Sequence, residues 1–115
     1  TWSLPRLVGR ARSMGMAMLG GDLSAQQAEQ WGLIWNCIDD EALMDEAHVL
    51  AVTLASQPTV GLGLIKKAIN ESHGNTLDQQ LDLERDLQRI ACQTEDYSEG
   101  VNAFLEKRKP AFRGR

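Results

Sequence analysis

The densest group of chemistry-bearing residues is the C-terminal run Lys107-Arg-Lys-Pro-Ala-Phe-Arg-Gly-Arg115, with five cations in nine residues and no acid. Lys and Arg are the natural donors to phosphate, Arg through a planar fork and Lys as a point charge. The same cations in the last turn of a helix would complement its dipole for about 0.3–1 kcal/mol. Residue type alone leaves both roles open. His48 lies inside an apolar-striped segment and His73 stands beside Gly74, so surface or packing roles are expected of both. The acidic groups Asp39-Asp40-Glu41 and Asp45-Glu46 invite an acid/base or metal reading. However, adjacent residues on a helix do not converge on one point, and carboxylates at helix N-termini are favoured by the dipole. Cys37 and Cys92 are far apart, lack histidines at metal spacing, and are expected to be reduced, buried thiols. No metal-binding, nucleophile-elbow, P-loop or dinucleotide motif is present, so neither a metal nor a resident cofactor is expected.

The elements that position these residues must fit in 115 residues, the size of one domain spanning 1–115. An apolar fraction of 43% with 24% charged residues belongs to a globular protein and not a disordered one. The net charge of −4 hides an asymmetry: outside the last nine residues, seven basic side chains face sixteen acidic ones. An acidic body argues against nucleic-acid binding, which needs a cationic surface. No apolar run reaches the roughly 18–20 residues of a membrane span, and Arg6, Arg10 and Arg12 interrupt any signal-peptide pattern. A cytoplasmic location is expected. The start at Thr1-Trp2, without Met, suggests a processed or truncated product.

Periodicity and caps predict an all-α chain of about five to six helices. A short turn over Leu4–Val8 ends at Gly9, and a helix over Arg10–Leu19 stops at Gly20-Gly21. Ser24-Ala-Gln-Gln27 has the form of a capping box for a short helix ending at Gly32. Leu33–Ile38 is the one stretch with strand character, and an extended connector fits it equally. A long helix from Asp39 or Asp40 to about Ser56 carries a stripe of Leu43, Ala47, Leu50 and Leu54. Pro58 suits the first turn of the next helix, whose expected buried face is Val60, Leu64, Ile65, Ala68 and Ile69. Thr76-Leu-Asp-Gln79 is a second capping box. Its helix, running to about Gln93, is apolar on more than one face, as in an element sandwiched between its own core and a partner. Thr94 caps the last helix, with Tyr97, Val101, Phe104 and Leu105 as its stripe, and Pro110 ends any continuation.

Four segments in order resemble the enoyl-CoA hydratase/isomerase (crotonase) family. These are Leu4-Pro-Arg-Leu-Val-Gly-Arg-Ala-Arg-Ser-Met14, then Leu19-Gly-Gly-Asp-Leu-Ser-Ala-Gln-Gln-Ala28 with Trp31-Gly-Leu-Ile34, then Pro58 to Asn70, and Glu99 to Phe112. The tryptophans and the Gly61-Leu-Gly-Leu-Ile-Lys66 run look most like the ring-epoxide isomerases of phenylacetate breakdown. The resemblance implies a C-terminal helical, oligomerisation region whose parent acts on a CoA thioester through a stabilised enolate. It places the β/α spiral core, its oxyanion hole and its catalytic aspartate before Thr1, so this chain is expected to be inactive alone. It implies that Phe104 and Lys107 contact CoA and, by position, that Trp2 lines the acyl pocket. It also implies self-association: a trimer or hexamer in the parent, a dimer or higher assembly here.

Two readings from other classes compete. Ser24 to Gly32 and the following turn resemble half of a helix-turn-helix, but the next helix, Glu41–Ser56, carries no Lys or Arg to meet phosphate. A free-standing helical self-association module without enzymatic role is the stronger alternative.

Overall fold

The computed structural model describes all 115 residues as seven helices with no strand. The all-α expectation holds, with the Leu4–Val8 turn counting as a helix of its own. The chain divides into two compact units, Thr1–Glu46 and Ala47–Arg115.

The first unit holds α1 (Leu4–Val8), α2 (Arg10–Leu19) and α3 (Ala25–Gln30). Pro5 sits in the opening turn of α1, where its missing N–H costs nothing. The two helices α1 and α2 pack together and share Gly9 as a common cap, at a φ of 82° that glycine adopts without strain. Gly20 stops α2 in the left-handed conformation. Ser24 Oγ accepts from Gln27 N at 3.2 Å, but the Gln27 side chain does not reach back, so only half of the expected capping box forms. The end of α3 is a Schellman closure: Leu33 N donates to Ala28 O at 2.9 Å and Gly32 N to Glu29 O at 2.9 Å, around Gly32 at φ 73°. Leu33–Ile38 is a connector, bent over its first three residues and irregular over the rest, held where Cys37 N donates to Glu29 Oε1. The buried apolar residues of this unit are Val8 and Ala28.

Helix α4 (Asp40–Ala55) runs across the boundary into the second unit, which holds α5 (Thr59–Ser72), α6 (Leu77–Ala91) and α7 (Glu95–Leu105). Asp40 and Glu41 lie in the first turn of α4, where the dipole favours them. None of its residues is buried, although Leu43, Met44, Val49, Leu50, Val52 and Leu54 are apolar. Pro58 is the N-cap of α5 and not a first-turn residue. The expected buried face of α5 is only partly covered: Val60, Leu64 and Ala68 are half-buried, whereas Ile65 and Ile69 are exposed. Thr76 and Gln79 complete a reciprocal capping box at α6. The α5–α6 pair is pinned by Gln80 Nε2, which donates to Ala68 O at 3.2 Å, and packs around Leu87. Thr94 Oγ1 caps α7 by accepting from Tyr97 N at 3.1 Å. Beyond Leu105 the chain turns back along α7 as an irregular strap to Arg115.

Candidate functional site

The end of α7 and the strap hold most of the chain's side-chain hydrogen bonds between residues far apart in sequence. Glu106 is the C-cap, and the next residue, Lys107, is the one non-glycine residue with positive φ, at 56°. Lys107 N donates to Phe104 O at 3.2 Å and Arg108 N donates to Ala103 O at 3.0 Å. This is the same Schellman closure that ends α3, but with lysine where α3 places Gly32. Ala103, whose carbonyl closes the motif, is 1% exposed. Phe104 is 82% exposed, and Lys107 is exposed with no ion-pair partner.

Two carboxylates buckle the strap to α7. Glu99 accepts the Arg108 fork, Nη1 to Oε1 at 2.6 Å and Nη2 to Oε2 at 2.9 Å, and also Ala111 N at 2.7 Å. These charge-assisted bonds, Arg108 first and the Ala111 amide second, hold the Glu99 carboxyl down at about 2. Arg108 Nε donates to Glu106 Oε2 at 2.6 Å, and the hydrogen bonds to Glu99 first and Glu106 second raise the Arg108 guanidinium. Asp96, 2% exposed, accepts Arg113 N on Oδ1 at 2.6 Å and Gly114 N on Oδ2 at 2.7 Å. Its own N–H donates to Arg115 O at 3.0 Å, and Arg115 Nε pairs with Glu95. Near its end the strap passes through Gly114, φ 74°, where a Cβ would stand 2.5 Å from Thr59 Oγ1. Strap, α7 and the start of α5 bound an apolar groove of about 410 Å³ lined by Tyr97, Val101, Phe104, Leu105 and Phe112 among others.

Several sequence expectations change here. Helix α7 ends before the basic run, with no cation in its last turn, so helix-dipole stabilisation does not account for the tail. Arg108 and Arg115 are committed to carboxylates, whereas Lys107, Lys109 and Arg113 form no ion pair. Cys37 is half-buried and Cys92 exposed; neither is the buried thiol expected of it. Sequence reasoning missed Asp96 and Glu99 as anchors. Glu99 lies inside one of the four quoted segments, but its partners stand nine and twelve residues away, beyond any helical period.

The other candidates are scattered. Trp2, in the first unit, is 64% exposed beneath the Arg6 guanidinium, 3.9 Å from its ring centroid. It does not line the nearby cavity of about 260 Å³ bounded by Leu4, Ser13, Met14 and Met18, in which the buried Ser13 hydroxyl has no partner. His48 is exposed on α4, and His73 caps the end of α5. No three His, Cys, Asp or Glu side chains converge as metal ligands would. No single helix is long and apolar enough to cross a membrane.

The family model for enoyl-CoA hydratase/isomerase matches residues 1–115. The chain is 63% identical over 115 residues to the C-terminal part of the 1,2-epoxyphenylacetyl-CoA isomerase of Escherichia coli K12. All of this chain but 44% of that protein is covered. It is 44% identical, over its whole length and 45% of the relative, to a probable enoyl-CoA hydratase of Rhodobacter capsulatus. The crystal structure of an enoyl-CoA hydratase from Polaromonas sp. JS666 superposes with a TM-score of 0.90 at 37% identity, covering 97% of this chain and 44% of that one. The chain thus spans under half the length of these relatives.

Proposed function

We propose, because this chain belongs to the enoyl-CoA hydratase/isomerase family, that it is the helical C-terminal part of a cytoplasmic acyl-CoA isomerase or hydratase, and that it contributes self-association and one wall of the CoA site. The identity of 63% to an epoxyphenylacetyl-CoA isomerase supports a ring-epoxide phenylacetyl thioester as the substrate class. No resident cofactor enters this reading; the CoA thioester is substrate. Thioester enolate chemistry is assigned to residues outside Thr1–Arg115. Within the span, the buried carboxylate of Asp96 is committed to two backbone N–H groups, and both histidines are exposed, His48 on α4 and His73 at the C-cap of α5.

The observation that carries the CoA assignment is the adjacency of Phe104 and Lys107 at the end of α7. An aromatic ring left 82% exposed offers a stacking face for a purine, and the ammonium one turn on is free for phosphate. Trp2 is assigned to the acyl pocket on position alone. Calorimetric titration of the chain with CoA tests the reading: binding should be saturable and weakened in Phe104→Ala and in Lys107→Ala. Equal affinity in wild type and both variants would overturn it.

A second reading, a self-association module without an enzymatic role, rests on an observation that it shares with the first. Helix α4 is sixteen residues long, rich in Leu and Val, and buries none of them. Such a face needs cover, by a partner copy or by another part of a longer protein. Self-association with no CoA binding would select this reading.

A further inference from the structure

We infer that Glu99 is a positioning residue for Lys107, holding the lysine in its left-handed conformation beside Phe104 so that its ammonium is preset for a phosphate group. The inference rests on the CoA reading above and assigns how that site is organised. A left-handed residue with a Cβ persists only where its surroundings over-determine it. At the end of α3 the same closure is made with Gly32, which needs no such support.

The surroundings of Lys107 supply that support through one side chain. Arg108 is fixed at its backbone by Ala103 O at 3.0 Å and at its guanidinium by the two Glu99 oxygens at 2.6 and 2.9 Å. Its Nε reaches back across Lys107 to Glu106 Oε2 at 2.6 Å. The residues on both sides of Lys107 are therefore joined through Arg108, and Arg108 is held by Glu99. The same carboxylate takes Ala111 N at 2.7 Å, which stops the strap peeling away beyond Pro110. Lys107, like Lys109 two residues on, forms no ion pair, and of the two it is Lys107 that follows Phe104 by one turn. Preset geometry of this kind raises affinity by reducing what must be ordered on binding.

Glu99→Gln keeps a carbonyl oxygen for Ala111 N but removes the charge and the second acceptor of the fork; Arg108→Ala removes the fork from the other side. Affinity for CoA is measured by calorimetry in wild type, Lys107→Ala, Glu99→Gln, Arg108→Ala and Glu99→Gln/Lys107→Ala. NMR reports the strong intraresidue amide-to-Hα contact that marks positive φ at Lys107, and far-UV dichroism confirms that each variant folds. The expected result is a loss of at least about threefold in affinity for Glu99→Gln and for Arg108→Ala. With it goes the positive-φ mark, and Glu99→Gln has no further effect once Lys107 is alanine. Retention of the mark in both strap variants, or an equal loss from Glu99→Gln with and without Lys107, would overturn the inference. If Lys107→Ala weakens CoA binding and Glu99→Gln does not, the inference fails and the CoA reading stands. If CoA does not bind wild type at all, the reading falls and takes this role of Glu99 with it.

Discussion

Asp96→Asn is nearly isosteric, yet it should release the end of the strap. Asp96 is 2% exposed, and its two oxygens each accept one backbone N–H, Arg113 on Oδ1 at 2.6 Å and Gly114 on Oδ2 at 2.7 Å. An asparagine has one oxygen and one NH₂. Whichever way the amide turns, an NH₂ group faces an N–H, so one bond is lost and two donors are opposed. A hydrogen bond to a charged acceptor is worth about 1.5–3 kcal/mol, and a buried donor left unpaired costs about 1–3 kcal/mol. The strap can escape part of this by detaching, so the local loss should be about 1.5–3 kcal/mol, a factor of about 10 to 150. Amide hydrogen exchange reads it directly. Arg113 and Gly114 should exchange that much faster in the variant, while amides in the middle of α6 keep their protection. Urea denaturation should show a smaller fall in global stability. Unchanged exchange at both amides would refute the buckle.

Three further outcomes follow from the same geometry. Lys107→Gly should stabilise the fold by about 0.5–1 kcal/mol in urea denaturation, since glycine takes φ 56° without penalty, while weakening CoA binding; destabilisation would contradict the strain argument. Glu99 is held at about 2, below the ordinary carboxyl value of 4.5, so its contribution to strap attachment is full above that ordinary value and is lost as pH falls through about 2. A carboxyl resonance of Glu99 titrating near 4.5 would contradict the ion pair. Light scattering over a concentration series should find a dimer or higher assembly, because α4 buries none of its apolar side chains; a clean monomer at high concentration would count against it.

What was legible in the sequence was local. Thr76 and Gln79, Thr94, Gly20 and Gly32 each announce a helix end through contacts within five residues, and each end falls where expected. Ser24 shows the limit of that logic: its hydroxyl caps α3, but the returning Gln27 contact, which the pattern equally suggests, does not form. Burial was less legible, because an apolar stripe says which face seeks cover and not whether this chain supplies it. Ile65, Ile69 and all of α4 are the cases in point. The strap was invisible because Asp96 meets residues seventeen and eighteen positions away, and no period encodes such a contact. Pro110 and the charge run signalled only that α7 could not continue. The assignment of Phe104, Lys107 and Trp2 came from family resemblance, whereas the left-handed lysine and its buckle came from the structure.

The most direct test of the account is turnover. The chain, at high concentration, is incubated with crotonyl-CoA and with an unsaturated phenylacetyl-type thioester, and loss of the conjugated thioester is followed by absorbance. The proposal assigns the enolate-stabilising and acid/base groups to residues outside Thr1–Arg115, and so predicts no rate above the buffer blank. Saturable turnover by Thr1–Arg115 alone would contradict the central claim that the chemistry lies outside this span.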